Sequence, residues 1–204
     1  MPTEYISFRD TNYFSSLICD YLEGKDELGS FYNRFPKLEN FKAQIEEKQN
    51  SVLDESRAVL SSALKSQYDS FEVSESTFKN IDLLKAGNTF TITTGHQLNL
   101  FTGPLYFLYK IISTINLTKT LKSSFPEYNF VPVYWMATED HDFDEINYFN
   151  FRGRKIHWNR LSSGGVGRLD KEGLQSVFQS FENILGQGQY ANELSELFKK
   201  AYLE

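Results

Sequence analysis

The chain has 204 residues and a formal net charge of −6, long enough to bury one core or a core plus a smaller lobe. With 40% hydrophobic and 16% aromatic residues, global disorder is excluded. The negative balance argues against a broad nucleic-acid surface, which needs a positive field.

No charged and apolar leader pattern opens the chain, and no apolar run approaches bilayer length. The expectation is a cytoplasmic domain without membrane contact. Glu4 to Phe8 reads as extended, followed by a helix from about Thr11 to Glu23 with Asp10 as its cap. This helix carries the one cysteine, Cys19, which permits neither an internal disulfide nor a cysteine-built zinc cage. Its apolar neighbours Phe14, Leu17, Ile18 and Leu22 predict a buried structural thiol. Glu27 to Phe35 is a short helix or turn closed by Pro36. Phe41 to Asn50 and Asp54 to Gln67 read as amphipathic helices, with Phe41, Ile45, Val52, Leu53, Val59, Leu60 and Leu64 on their apolar faces. Ser74 to Ala86 forms another helix, stopped by Gly87-Asn88.

The next stretch carries the informative pattern. Thr89 to Thr94 is β-branched and aromatic enough for a strand, ended by Gly95-His96-Gln97. Thr102-Gly103-Pro104 then starts a helix, with Thr102 or Gly103 as cap and Pro104 at the first helical position. Leu108, Ile111, Ile112 and Ile115 predict its buried face. Phe130 to Met136 is a second apolar run, as in a parallel strand covered on both faces. Within it, Pro132 is awkward, because it removes a ladder donor. Strand, crossover helix and strand form a right-handed βαβ unit. Ligands of such sheets lie beyond the carboxyl ends of the strands, where His96 and the acidic run Glu139-Asp140-His141-Asp142 both fall.

Further along, Ile146 to Phe151 and Lys155 to Trp158 flank Arg152-Gly153-Arg154 as a hairpin. Ser162-Ser163-Gly164-Gly165-Val166-Gly167 is flexible by composition and marks a boundary. Leu174 to Leu185 and Ala191 to Leu203 have helical spacing. The organisation expected is a mostly helical region over 1–86, a core over 87–160 and a separate helical segment over 161–204.

Two long segments carry a family resemblance: Thr94-Gly95-His96-Gln97-Leu98-Asn99-Leu100-Phe101-Thr102-Gly103-Pro104-Leu105-Tyr106, and Val131-Pro132-Val133-Tyr134-Trp135-Met136-Ala137-Thr138-Glu139-Asp140-His141-Asp142-Phe143-Asp144-Glu145. In their order and sequence they resemble the cysteine-adding enzyme of bacillithiol biosynthesis. The resemblance is sharp over about Thr89 to Phe151. It implies an α/β, Rossmann-like parallel sheet similar to class I aminoacyl-tRNA synthetases, incomplete in this chain. It also makes 161–204 the start of an inserted connecting-peptide domain, and implies a longer, homodimeric parent with a C-terminal coiled coil. The activity implied is ligation of cysteine to glucosaminyl-malate as an amide, with ATP, and magnesium arriving on its phosphates, activating the cysteine carboxylate.

On that reading Thr94, Gly95, Gly103 and Pro104 are cofactor-binding, since a glycine loop before a helix N-terminus can receive phosphate. His96 would stabilise charge on the phosphates. Asp140, His141 and Asp142 would position the acceptor amine or take its proton. Gln97, Glu139, Trp135 and Arg152 are the candidate substrate contacts, Arg152 as a carboxylate clamp for malate. Each has a structural alternative. His96 could cap a strand, Gly95 and Gly103 could serve turn geometry, the acidic residues could favour a helix's first turn, and hairpin arginines are commonly solvated. A dedicated metal site is not expected, because the sequence lacks H-E-x-x-H and cysteine pairs. The second signature lysine motif of class I synthetases is absent. The alternatives in function are a nucleotidyltransferase of the same fold superfamily, and a noncatalytic module binding a nucleotide or partner through Phe101, Tyr106, Phe107 and Tyr109.

Overall fold

In the computed structural model, which describes residues 4–204, the first helix, α1 (Ser16–Glu23), starts later than its spacing suggests. Asn12 adopts a left-handed conformation at φ 55° and ends a single turn at Arg9–Thr11. Ser15 then caps α1, its side chain accepting the Ile18 N–H. The serine therefore takes the role expected of Asp10. Cys19 is buried as a free thiol. Two further helices, α2 (Phe41–Gln49) and α3 (Asp54–Tyr68), match their expected spans closely. Their apolar faces are less covered than the spacing implies. Ile45 is buried, but Val52, Leu53, Val59 and Leu60 are exposed while Arg57 and Ser61 are buried. Three helices of this length enclose too small an interior to cover every apolar position. They belong to one compact unit, Met1–Ser74 with Lys85–Gly87.

The second unit comprises Glu75–Leu84 and Asn88–Glu204. It contains α4 (Glu75–Leu83), β1 (Thr89–His96), α5 (Leu105–Ser124) and β2 (Asn129–Met136). The strands β1 and β2 pair in parallel, in unbroken register from Thr89 opposite Asn129 to His96 opposite Met136. β1 thus continues through Gly95 and His96, two residues past its expected end, because the partner strand keeps offering backbone to pair with. Pro132 sits mid-strand opposite Ile92. Both strands of a two-stranded sheet are edges, so a residue without an N–H can face away from its neighbour.

Helix α5 packs on both strands, through a different stripe from the expected one. Its buried residues are Thr114, Thr118 and Leu121, with Ile111 half-buried beside them, whereas Leu108, Ile112 and Ile115 are exposed, Ile112 by 52%. The threonine hydroxyls are satisfied within the helix, Thr114 donating to the Lys110 carbonyl at 2.9 Å and Thr118 to that of Ile115 at 2.7 Å. Two strands cover only a narrow strip of a helix that is apolar on several sides. For the same reason Tyr134, Trp135 and Met136 at the end of β2 are exposed and not covered on both faces.

The largest core of this unit lies beyond β2. A short helix, α6 (Phe143–Ile146), leads into the hairpin of β3 (Tyr148–Phe151) and β4 (Arg154–His157), followed by α7 (Leu174–Leu185) and α8 (Gln189–Tyr202). The hairpin turns through Arg152 and Gly153, both at positive φ, 48° and 74°, the geometry that matches strand twist in a two-residue loop. Phe143, Ile146, Ile156, Trp158, Val166, Phe178, Phe181 and Phe198 form one buried cluster, together with Leu100 from the β1–α5 loop. The glycine-rich stretch before α7 is clasped despite its composition. Val166 N–H donates to the Asp140 carbonyl at 2.7 Å and Gly167 N–H to that of Thr138 at 2.9 Å. A Cβ on Gly167 would stand 2.5 Å from the Thr138 Cβ, so glycine is required by close approach. Residues 161–204 accordingly share one compact unit with β1 and β2. No helix among the described residues is long and apolar enough to cross a membrane.

Candidate active site

Parallel pairing aligns the carboxyl ends of β1 and β2, and the polar residues collect there. Gly95 gives room at this point, since a Cβ would lie 3.1 Å from the Trp135 carbonyl oxygen, tighter than most real contacts. Its own carbonyl accepts from Lys110 Nζ of α5 at 2.5 Å. The His96 carbonyl accepts twice, from the Tyr134 hydroxyl at 2.9 Å and the Ala137 N–H at 3.1 Å. Partial burial pushes the Tyr134 hydroxyl above the ordinary tyrosine range, which keeps it a donor in that bond. These bonds hold the strand end rigidly.

From this end two consecutive residues point to two different partners. The His96 ring lies against Tyr106 and Phe107, with centroids 5.4 and 5.3 Å away. Its Nε2 is 3.0 Å from the Tyr106 hydroxyl, and its Nδ1 is 3.0 Å from both Asn99 Nδ2 and the Gln97 carbonyl. Gln97 is buried, and its Nε2 donates to Glu145 Oε2 at 3.1 Å, with a longer contact of 3.5 Å to the Asp142 carbonyl. Tyr106 and Glu145 both line one cavity of about 260 Å³, together with Gly103, Pro104 and the β3 residues Tyr148, Phe149 and Asn150. Histidine and glutamine thus each place a neighbouring polar group at the same hollow.

The loop over this hollow is anchored from the far end of the chain. Phe101 has a left-handed backbone, φ 54°, unusual for a bulky residue. Its ring is held among Phe149, Phe181, Phe198 and Tyr202 at centroid distances of 4.6, 5.0, 5.0 and 6.2 Å. The Tyr202 hydroxyl accepts the Phe101 N–H at 2.7 Å and donates to the Asn99 carbonyl at 3.1 Å. Burial raises the Tyr202 hydroxyl above the ordinary tyrosine range, the bond from Phe101 only partly offsetting it. A Tyr202→Phe variant is expected to lose about 1–3 kcal/mol, because a backbone donor loses its partner. Urea denaturation measures the loss, and faster amide exchange at Phe101 should accompany it.

Not every expected site residue joins this arrangement. Thr94, Gly95 and His96 form the end of β1, with Gln97 directly after it, and Gly103 and Pro104 line the cavity. Pro104 caps α5 in an extended conformation, φ −70° and ψ 153°, so it precedes the first helical position instead of occupying it. Trp135 packs beside Gly95. Asp140 Oδ1 accepts the Asp142 N–H at 2.9 Å, which rigidifies the acidic loop. Asp142 meets Gln97 only through its backbone carbonyl. His141 and Glu139 are exposed, and among the described residues neither side chain is hydrogen-bonded to the His96 group. Arg152 lies apart, donating at 3.0 Å to the Ile184 carbonyl near the C-terminal end of α7. Asn99 and Tyr202 were not among the expected site residues, Tyr106 was expected only as part of an aromatic binding face, and Glu145 only as one member of the acidic cluster. Asn99, Tyr106 and Glu145 stand inside the two motifs, whereas nothing in sequence points to Tyr202. Among the described residues no three His, Cys, Asp or Glu side chains converge as a metal cluster.

A parallel βαβ unit with its polar residues at the carboxyl strand ends defines the opening part of a Rossmann-like α/β domain. The whole chain, residues 1–204, matches the family described as bacillithiol biosynthesis BshC, N-terminal Rossmann-like domain. The chain belongs to that family. It is 60% identical over its full length to a Flavobacterium johnsoniae protein named "Putative cysteine ligase BshC", covering 39% of that protein. A relative of the same name from Christiangramia forsetii is 58% identical, again over 100% of this chain and 39% of its own. The Bacillus thuringiensis relative is 34% identical over 69% of this chain and 26% of its own. The chain therefore spans well under half the length of these relatives.

Proposed function

We propose that this domain holds the amino-acid substrate of a ligase that joins cysteine to glucosaminyl-malate in bacillithiol biosynthesis, with ATP activating the cysteine carboxylate. Membership of the family supports the reaction class. The observation that carries the site is the pairing at the end of β1: His96 on Tyr106 and Gln97 on Glu145, both partners lining a cavity of about 260 Å³. A hydroxyl and a carboxylate at one small hollow suit the two ends of an amino acid, the carboxylate accepting from its ammonium.

A carboxylate is a poor electrophile, so amide formation needs a leaving group. When bound, ATP supplies it: the cysteine carboxylate displaces pyrophosphate, and AMP departs when the sugar amine attacks and loses a proton. The residues present fit a nucleotide phosphate through Lys110, whose ammonium is fixed at the strand end by one bond to the Gly95 carbonyl and keeps further donors. The exposed carboxylate of Asp142 is available to the attacking amine's proton. Magnesium arriving with ATP would need one or two carboxylates, which the Asp140 to Asp142 loop can supply.

The test uses the full-length protein with L-cysteine, glucosaminyl-malate and ATP, and mass spectrometry of the products. The expected result is the amide, with AMP and pyrophosphate, only when all three are present, and a loss of about 100-fold or more in Glu145→Gln. Pyrophosphate release that instead requires a nucleotide acceptor would identify a nucleotidyltransferase. Binding without turnover would identify a noncatalytic module.

A further inference from the structure

We infer that Gln97 is a positioning residue and not a substrate contact: it holds the Glu145 carboxylate at the cavity with its charge uncancelled, so that the cavity selects its ligand by a protonated amine. The inference rests on the proposed site but not on the reaction assigned to it. Gln97 is 8% exposed and does not line the cavity, so its amide does not meet a ligand there. Its Nε2 faces two acceptors, Glu145 Oε2 at 3.1 Å and, more weakly, the Asp142 carbonyl at 3.5 Å. The opposite placement of the amide would set its oxygen against the carbonyl oxygen. The nitrogen is therefore the atom that faces them, and Gln97 donates.

The backbone beneath Glu145 is already fixed, because Phe143 and Ile146 of α6 are buried in the core cluster. What stays free is the side chain, which samples several rotamers unless something holds it. The bond from Gln97 confines it through one carboxylate oxygen. The other oxygen has no hydrogen-bond partner among the described residues, and Glu145 lines the cavity. Charge is the second consequence. An Arg or Lys at position 97 would hold the carboxylate and also neutralise it, whereas an amide donates without carrying charge. Among the described residues Glu145 forms no ion pair, and no Lys, Arg or His lines the cavity. The Lys155 ammonium lies 3.6 Å over the ring of Tyr148, another lining residue, and is not paired with Glu145. An oriented carboxylate without a counter-ion, at the wall of a cavity of about 260 Å³, calls for a cationic donor. The ammonium of an amino acid or of an amino sugar has that chemistry.

The test is equilibrium titration of the full-length protein with two pairs of probes that differ in the amine: L-cysteine against 3-mercaptopropionate, and D-glucosamine against D-glucose. In the unmodified protein the amine-bearing member of one pair should bind about tenfold or more tighter than its partner. Which pair shows the preference tells whether the amine belongs to an amino acid or to a sugar. Glu145→Gln, a change at an exposed residue, should abolish the preference. Gln97→Met, which keeps the length of the side chain without the donor, should weaken the amine-bearing probe by about tenfold and leave its partner unchanged, whereas a merely structural role would weaken both alike. In the Glu145→Gln background the same Gln97→Met change should have little further effect, because Gln97 acts through Glu145. Equal binding within both pairs, or no binding of any probe, would overturn the inference. So would a preference that survives Glu145→Gln, a Gln97→Met variant that keeps the preference or weakens both members alike, or effects of the two substitutions that simply add. If the preference and its loss are seen and no amide is ever formed, this assignment stands while the ligase reading fails. Amide formation by a protein without the preference would do the reverse.

Discussion

Phe181→Ala is expected to lower the unfolding free energy by about 3–5 kcal/mol, more than the loss of a single hydrogen bond or of a turn glycine, and to loosen a loop that lies some eighty residues away in sequence. Phe181 is 1% exposed. Its ring meets Phe101, Phe149, Phe151 and Phe198 at 5.0, 5.7, 5.2 and 6.0 Å. Truncation removes both its own burial and the wall against which Phe101 is held, and the surrounding rings can collapse only partly into the space. Phe101 keeps its left-handed backbone because its side chain is anchored. With the anchor weakened, the segment from Asn99 to Gly103 should sample other conformations. Urea denaturation measures the first effect, and hydrogen exchange at residues 99–103 the second. A loss below about 1 kcal/mol with unchanged loop protection would show that α7 does not support the site.

Gly103→Ala should disturb the arrangement of the site as well as the stability of the fold. Gly103 has φ +59°, and a Cβ there would lie 2.7 Å from Asn99 Cγ, closer than real side chains approach. The left-handed backbone alone costs a residue with a Cβ about 1–2 kcal/mol. Displacing Asn99 does more, because its amide holds both the Gln97 carbonyl and His96 Nδ1. The expected outcome is a stability loss greater than the about 1–2 kcal/mol of the backbone alone and a fall in ligand affinity of about tenfold or more. Gly153→Ala is the control. Gly153 also has positive φ, +74°, but nothing lies within 4 Å of its Cβ position, so it carries the backbone cost without the collision. Calorimetry and L-cysteine or ATP titration separate the two. Equal affinity losses in both variants would mean that Gly103 serves turn geometry only.

Legibility differed between elements for physical reasons. The strands and the hairpin were readable because β-branched runs, a parallel crossover and an Arg-Gly turn are local signals. Helix α5 was harder. It is apolar on several sides, so the spacing of Leu108, Ile112 and Ile115 described a stripe that exists, while the two strands it packs on select Thr114, Thr118 and Leu121. The start of α1 depended on one left-handed residue, Asn12, which no periodicity records. The glycines at 164, 165 and 167 looked like a flexible boundary. Gly165 and Gly167 instead give backbone space to the acidic loop at Thr138 and Glu139.

By itself the sequence determined the class of fold, the family, and the two segments in which the site lies, because motifs and β/α alternation are properties of neighbouring residues. Which side chains form the site was decided only by the tertiary structure. Parallel register brings the end of β1 beside the acidic loop, and from there His96 is directed to Tyr106 and Gln97 to Glu145, while Arg152 turns away to the end of α7 and Tyr202 comes in from the last helix to hold the loop. Those pairings join residues as many as 103 positions apart. They depend on the direction of each donor and acceptor in space, which the order of residues along a chain does not encode.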